Sequence, residues 1–179
     1  MYIVRRVLLN EYHKYRSHLK ALDDASKYLR FGYHIKDYMI DKLCDGIEAT
    51  PKMHKLFCIE DNDLEFIGVG HIALEGSMEL AFSVLNKYQG SGMGNSLMKR
   101  CIQYCRTHNI LKGHMVCLSH NKSIRHLCTK NGIRIYSEDG ETMGDIVLDR
   151  PTVITFFNEA TDKNIGMFDY VMKRSQLTW

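Results

Sequence analysis

The sequence predicts a single domain of the α/β (α+β) class, built on a mixed, mostly antiparallel sheet of about seven strands flanked by helices. Three observations predict it. Short apolar runs between Lys55 and Leu85 are separated by polar turns at the spacing of a β-meander. After Gly94 the period changes to 3.6, with Leu97, Met98, Cys101, Ile102 and Cys105 on one stripe and Lys99, Arg100, Gln103 and Arg106 facing elsewhere. Finally, 45% hydrophobic residues in a chain of 179 can fill one sizeable core.

Taken in order, Tyr2 to Leu9 has the β-branched character of an opening strand. The next forty or so residues carry helical spacing, read as two helices anchored by Leu19, Leu22, Tyr28, Leu29, Tyr38, Met39 and Leu43. Lys55 to Glu60, Phe66 to Leu74 and Glu79 to Leu85 follow as consecutive antiparallel strands, with turns at Asp61-Asn62-Asp63 and Glu75-Gly76-Ser77. The amphipathic helix after Gly94 runs to about His108. Next come a fifth strand at Gly113 to Leu118, a short helix from Asn121 to Lys130, and a hairpin with strands at Ile133 to Ser137 and Asp145 to Leu148 around Asp139-Gly140. Pro151 and the segment Val153 to Met172 suggest a helical extension. The division expected is a domain over residues 1–150 and an extension over 151–179, packed on the domain or on a partner subunit.

The charge excludes several classes. A formal net charge of +3, from 24 basic and 21 acidic residues without a block of like sign, argues against a nucleic-acid or membrane arm. The opening apolar run is too short for a secretory signal, and no stretch approaches the ~20 apolar residues of a membrane span. A cytoplasmic protein is the expectation. Six cysteines lie inside apolar or periodic segments with no Cys-x-x-Cys pair, as reduced, buried thiols do.

The most informative stretch joins the strand from Glu79 to a turn, Gln89-Gly90-Ser91-Gly92-Met93-Gly94-Asn95, and then to a helix. Free N–H groups converge at such a helix N-terminus, and the helix dipole favours an anion there. Glycines at 90, 92 and 94 let phosphate oxygens approach the backbone closely. A P-loop is excluded, because no Lys-Ser/Thr follows a glycine here. The dinucleotide fingerprint fails too, since Asn95 and Leu97 stand where it needs glycine.

Gln89-x-x-Gly92-x-Gly94 matches the Gln/Arg-x-x-Gly-x-Gly/Ala acyl-CoA motif, and in this the chain resembles the GCN5-related N-acetyltransferases (the GNAT family). The motif sits after the fourth strand and opens the following helix, as it does in that family. Downstream, Asn121, Ser123 and Gly132-Ile133 fall at the offsets of a second family feature, so that the resemblance covers roughly residues 2–149. It implies the acyl-CoA N-acyltransferase fold, with the fourth and fifth strands splayed apart. It also implies acetyl-CoA as acyl donor, its pyrophosphate on the backbone of Gln89 to Gly94. The fourth strand, through Phe82, Ser83, Val84 and Leu85, would pair with the pantetheine arm, and an N–H near Val84 or Leu85 would polarise the thioester carbonyl. Acetylation of a primary amine by direct attack in a ternary complex is the activity implied.

Such a transfer needs a base for the amine and a proton for the leaving thiolate. Glu79 shares a strand face with Ala81 and Ser83, and two readings of it stay open: general base, or solvated strand-end glutamate. Glu75, in the turn, is a weaker candidate. Many family members carry a tyrosine seven residues after the asparagine, where this chain has Cys128. Water, Cys128 or Tyr136 remain as substitutes, and Cys128 also reads as a small core residue. Cys101, Cys105 and His108 share a helical face with core residues, so no metal is expected. Ser26-x-Tyr28-x-Arg30-Phe31 and Glu79-x-Ala81-Phe82 resemble segments of bacterial protein-lysine acetyltransferases, which tilts the acceptor toward a protein lysine. Other readings are a polyamine, antibiotic or aminoacyl-tRNA acetyltransferase, or a non-catalytic acetyl-CoA-binding module. The chain is expected as a monomer or homodimer.

Overall fold

The computed structural model describes residues 2–138 and 141–177. A two-residue strand, β1 (Arg5–Arg6), and a 3-10 turn (Leu9–Glu11) lead to three helices, α1 (Tyr12–Ala21), α2 (Asp24–Phe31) and α3 (Asp37–Ala49). β2 (His54–Glu60), β3 (Phe66–Ala73) and β4 (Met78–Val84) form the meander. A 3-10 turn at Asn86–Tyr88 precedes α4 (Met93–Thr107), followed by β5 (Lys112–Leu118), α5 (Lys122–Lys130), β6 (Arg134–Glu138), β7 (Glu141–Val147) and α6 (Val153–Leu177). The strands make one seven-stranded sheet in the order β1-β2-β3-β4-β5-β7-β6. Among the described residues only β4 and β5 run parallel.

Several expectations are corrected. The opening strand is two residues long rather than Tyr2 to Leu9, because the chain turns at Leu9–Glu11 to bring Glu11 onto Arg5. Between the opening strand and β2 there are three helices, not two. Asp23 caps α2 by accepting from the Ser26 N–H at 2.7 Å, and Gly32 ends it at φ +80°. The buried face of α3 is Ile40, Cys44 and Ile47; Tyr38, expected as an anchor, is exposed. Arg100 does not face solvent: it is buried in an ion pair with Glu159 of α6. The second hairpin strand starts at Glu141 rather than Asp145, and the turn expected at Asp139-Gly140 lies outside the described residues.

β2 and β3 are apolar on both faces because helices cover both. Leu56, Cys58 and Val69 meet Tyr15, Leu19, Ile40 and Ile47 of α1 and α3. Phe57, Ile59, Ile72 and Leu80 meet Leu97, Met98, Cys101 and Cys105 of α4. Each such fully buried side chain contributes about 1.5–3 kcal/mol of apolar burial.

Where the sheet meets the C-terminal helix, Arg5 donates to Glu60 and, through both terminal nitrogens at 2.8 Å, to Glu11. Its guanidinium lies 4.2 Å from the centre of the Tyr170 ring of α6. Burial works against the charge on Glu11, but the Arg5 guanidinium outweighs it and holds that carboxyl below its ordinary value. Further along α6, Arg100 pairs with Glu159 at 2.7 Å. α6 thus rests on β1 and α4, while Val153, Phe157 and Phe168 stay exposed on its other side.

Candidate active site

β4 and β5 pair only at Met78 with Gly113 and Glu79 with His114. Beyond these the strands diverge. Gly113 permits the close start, since a Cβ there would stand 2.3 Å from the Met78 carbonyl oxygen. The gap opens into a cleft of about 600 Å³ between β4 and Met115 to Leu118 of β5, roofed by α2 and floored by the start of α4 and by α5. On the other edge of β4 the ladder with β3 decides which backbone groups remain available. Leu85 donates its N–H to the Ile67 carbonyl at 2.9 Å, and by the alternation of an antiparallel ladder Ser83 also points to β3. The N–H groups of Phe82 and Val84 therefore point into the gap. Of the two groups expected to polarise a carbonyl, the one on Val84 faces the cleft and the one on Leu85 is already bound.

The turn after β4 is held by its own side chains. Gln89 donates from Nε2 to the Val84 carbonyl and to the Ser26 hydroxyl of α2, both at 3.0 Å, and Ser91 donates to the Tyr88 carbonyl at 2.6 Å. Gly92 caps α4 at φ +92°, a conformation a side chain would strain. No side chain caps that helix start, so the N–H groups of Met93, Gly94 and Asn95 have no intrahelical acceptor and face the cleft. Gly94 itself is helical rather than left-handed, and lies against Leu127 of α5. The Asn95 side chain is occupied with Asn131 at 3.1 Å, leaving its backbone to the cleft. Asn121 caps α5 by accepting from the Ile124 N–H at 3.2 Å, and its amide reaches back to the Leu29 carbonyl of α2 at 3.5 Å. Tyr28 stacks on His120, so that α2 is fastened to both ends of the cleft.

A second cleft of about 530 Å³ opens on the α2–α3 side of the sheet, lined by Tyr33, Tyr38, Met39 and His71 among others. Four residues border both clefts: Arg30, Phe31, Glu79 and Ala81. Glu79 is half-buried where the two meet. His71 continues into a chain that spacing did not reveal: its Nε2 lies 3.0 Å from His54 Nδ1, and His54 Nε2 lies 3.2 Å from Glu75 Oε1. The only sequence signal was the hairpin register, which places His54 and His71 diagonally on one face.

The first cleft, closed at one end by a helix start with free N–H groups, lies largely within the segment that matches a known protein family. A family model described as an acetyltransferase (GNAT) domain matches residues 34–132. The chain belongs to the GNAT acetyltransferase family. It is 26% identical over 137 residues to an acetyltransferase of Pseudomonas aeruginosa, covering 73% of each chain. Among solved structures it resembles the GNAT domain of PAT from S. lividans, with a TM-score of 0.66, 20% identity, and 81% of this chain and 89% of that one covered. It also resembles yncA from Salmonella typhimurium, determined with its cofactor acetyl-CoA, at a TM-score of 0.64 and 16% identity over 86% of this chain and 97% of that one. These structural likenesses concern the fold.

Within this GNAT site the residues named from sequence divide in two. Glu79, Phe82, Val84, Gln89, Gly90, Gly92, Met93, Gly94 and Asn121 line the first cleft. Ser83 turns its hydroxyl away from it, onto His18 Nε2 of α1 at 2.9 Å. Cys128 is buried with its thiol 3.4 Å from Met115 Sδ, and burial pushes that thiol up to about 11. Tyr136 stands on the edge strand β6, 3.5 Å from Asp145 Oδ1 and outside both clefts. Cys101 and Cys105 are fully buried in the core. Among the described residues no group of three or more His, Cys, Asp and Glu is placed to hold a metal, and no helix is long and apolar enough to cross a membrane.

Proposed function

We propose that this GNAT protein is a cytoplasmic, acetyl-CoA-dependent N-acetyltransferase that acetylates a primary amine by direct attack in a ternary complex. The observation that carries it is the junction at β4, where Arg30, Phe31, Glu79 and Ala81 border both clefts. A donor in the first cleft and an amine in the second would meet there. The free N–H groups at the start of α4 take the pyrophosphate, and the Val84 N–H polarises the thioester carbonyl. Glu79 accepts the proton of the incoming ammonium. No thiol takes the acetyl group in this scheme, since Cys101, Cys105 and Cys128 are all buried. Residues 1–150 are the acetyltransferase domain, and 151–179 an extension packed on it or on a partner subunit.

A protein lysine is the acceptor we favour. The support is the Arg30-Phe31 end of α2, which carries the resemblance to protein-lysine acetyltransferases and borders both clefts. Incubation with labelled acetyl-CoA and separate pools of lysine peptides, polyamines and tRNA tests the reading. Label in the peptide pool is the expected result. Label only in polyamines or tRNA would overturn the lysine assignment, and label in none would favour an acetyl-CoA-binding module, to which the inward-facing Cys128 also lends support.

A further inference from the structure

The chain His71–His54–Glu75 runs from the second cleft to the protein surface, and hydrogen-bond chemistry sets its polarity. Glu75 lies in the exposed turn before β4 and, as a carboxylate, only accepts; His54 therefore carries its proton on Nε2, 3.2 Å away. Burial lowers the pKa of both rings, that of His71 to about 3, which keeps them neutral. A neutral His54 protonated on Nε2 offers a lone pair at Nδ1, so the proton in the 3.0 Å contact sits on His71 Nε2. This tautomer follows from the network, and it leaves His71 Nδ1 as an unprotonated acceptor on a residue that lines the second cleft. The same ordering logic, a carboxylate fixing a histidine so that its far nitrogen is a base, operates in hydrolytic triads.

We propose that His71 is the base that takes the second proton of the acceptor amine, and that His54 and Glu75 are positioning residues that set its tautomer and carry that proton outward. The proposal rests on the acetyltransferase reading and divides the protons between two groups. Glu79 relieves the ammonium of its first proton. The neutral nitrogen then bonds to the thioester carbonyl carbon and must shed one more as the C–S bond breaks. That proton moves to His71 Nδ1, the Nε2 proton of His71 to His54 Nδ1, and the Nε2 proton of His54 to Glu75. Run in reverse, the chain returns one proton to the junction, where the departing thiolate takes it. Both rings then regain their starting tautomers and Glu75 its charge, and Glu79 releases the first proton to solvent. No tyrosine is needed at position 128 in this scheme.

The surroundings suit transit rather than storage. His71 faces the Tyr15 ring of α1 at 5.8 Å, the charge of Arg30 on α2, Lys42 of α3 across the cleft, His54 on β2 and Glu79 on β4. Burial and the Arg30 charge disfavour a charged His71 ring, and burial and Lys55 a charged His54 ring, so each imidazole gives up one proton as it takes another.

Glu75→Lys tests the polarity at an exposed position, because an ammonium donating to His54 Nε2 would invert both tautomers and place a proton on His71 Nδ1. Long-range nitrogen-15 spectra of the histidine rings and kinetics with a lysine peptide, and with spermidine as a second acceptor, give independent readouts. Expected are Nε2-protonated His54 and His71 in the parent, a shift toward Nδ1 in Glu75→Lys, and kcat about 10²-fold lower with acetyl-CoA affinity unchanged. Glu75→Asp should recover most of the rate. A parent protonated on His71 Nδ1, or Glu75→Lys at the parental kcat, would overturn the relay. A parent that labels neither acceptor would sink the acetyltransferase reading instead, while the spectra still decide the polarity of the chain.

Discussion

In the proposed reaction Glu79 is the base, and its position follows from two separate facts. Strand alternation places its side chain on the face of Ala81 and Ser83, and the parallel pairing with His114 ends beside it, where the sheet opens. A base there acts on the ammonium, so its loss should depend on how much ammonium is present. Glu79→Gln is expected to lower kcat by about 10²- to 10⁴-fold near neutral pH, with acetyl-CoA affinity nearly unchanged. The deficit should shrink at high pH, where more of the acceptor is already neutral. Equal loss at every pH would make Glu79 a positioning group. Glu75→Lys, by contrast, should stay slow at high pH, because the attacking nitrogen sheds its second proton whatever the pH. Sequence reasoning could name Glu79 from its strand, but the His54–His71 contact joins residues 17 apart through a hairpin register that composition does not display.

At the scale of elements, the proposed function has the turn before α4 bind by backbone, so conformation matters more there than side-chain identity. Gly92→Val would force a β-branched residue to φ +92° at the mouth of the cleft. Calorimetric titration should find acetyl-CoA binding abolished in a protein whose circular dichroism still reports the sheet; unchanged affinity would remove this turn from the site. α6 raises a different question. Truncation after Arg150 removes Glu159 from the buried Arg100 and the Tyr170 ring from Arg5. Breaking a buried pair costs about 3 kcal/mol or more, which corresponds to a fall in melting temperature of roughly 6–12 °C for a domain of this size. A truncated protein with the parental melting temperature and mass would mark the helix as dispensable. The same pair explains a misreading: a helical period assigns Arg100 to the polar face, and nothing local signals a partner 59 residues away.

For the whole molecule, buried neutral histidines tie stability to pH. His18 donates from Nδ1 to the Phe66 carbonyl and, as a neutral ring, accepts at Nε2 from the Ser83 hydroxyl within the core, and burial pushes its pKa down to about 4. His71 is lowered to about 3 for the same reason. Unfolded, each titrates near 6.5, so between the two values the unfolded chain binds more protons and stability rises with pH. That contribution is complete above the unfolded value and is lost as the pH falls toward the folded ones, by up to ~1.4 kcal/mol per pH unit for each ring. Melting temperature should therefore drop steadily from pH 7 to pH 4, and His18→Gln should flatten the slope. A parent whose melting temperature is level across this range would contradict neutral burial.

What the sequence alone determined is local. A meander of apolar runs, a left-handed glycine at a helix start and a helix of period 3.6 each follow from backbone geometry within about ten residues, and together they carried the order of strands around Gln89 to Gly94. The breaks in that reading are equally physical. Asp23 and Gly32 divide α2 from its neighbours through a cap and a left-handed turn, short signals that an apolar period overrides. Tertiary structure decided which face each element presents: Cys128 toward Met115 rather than the cleft, Ile40 rather than Tyr38 toward the core, Arg100 toward Glu159. It also decided the divergence of β4 from β5, which Gly113 starts and no single strand encodes, and the two clefts that meet beside Glu79. Those choices depend on contacts between distant segments, whose energies exist only once the sheet has brought them together.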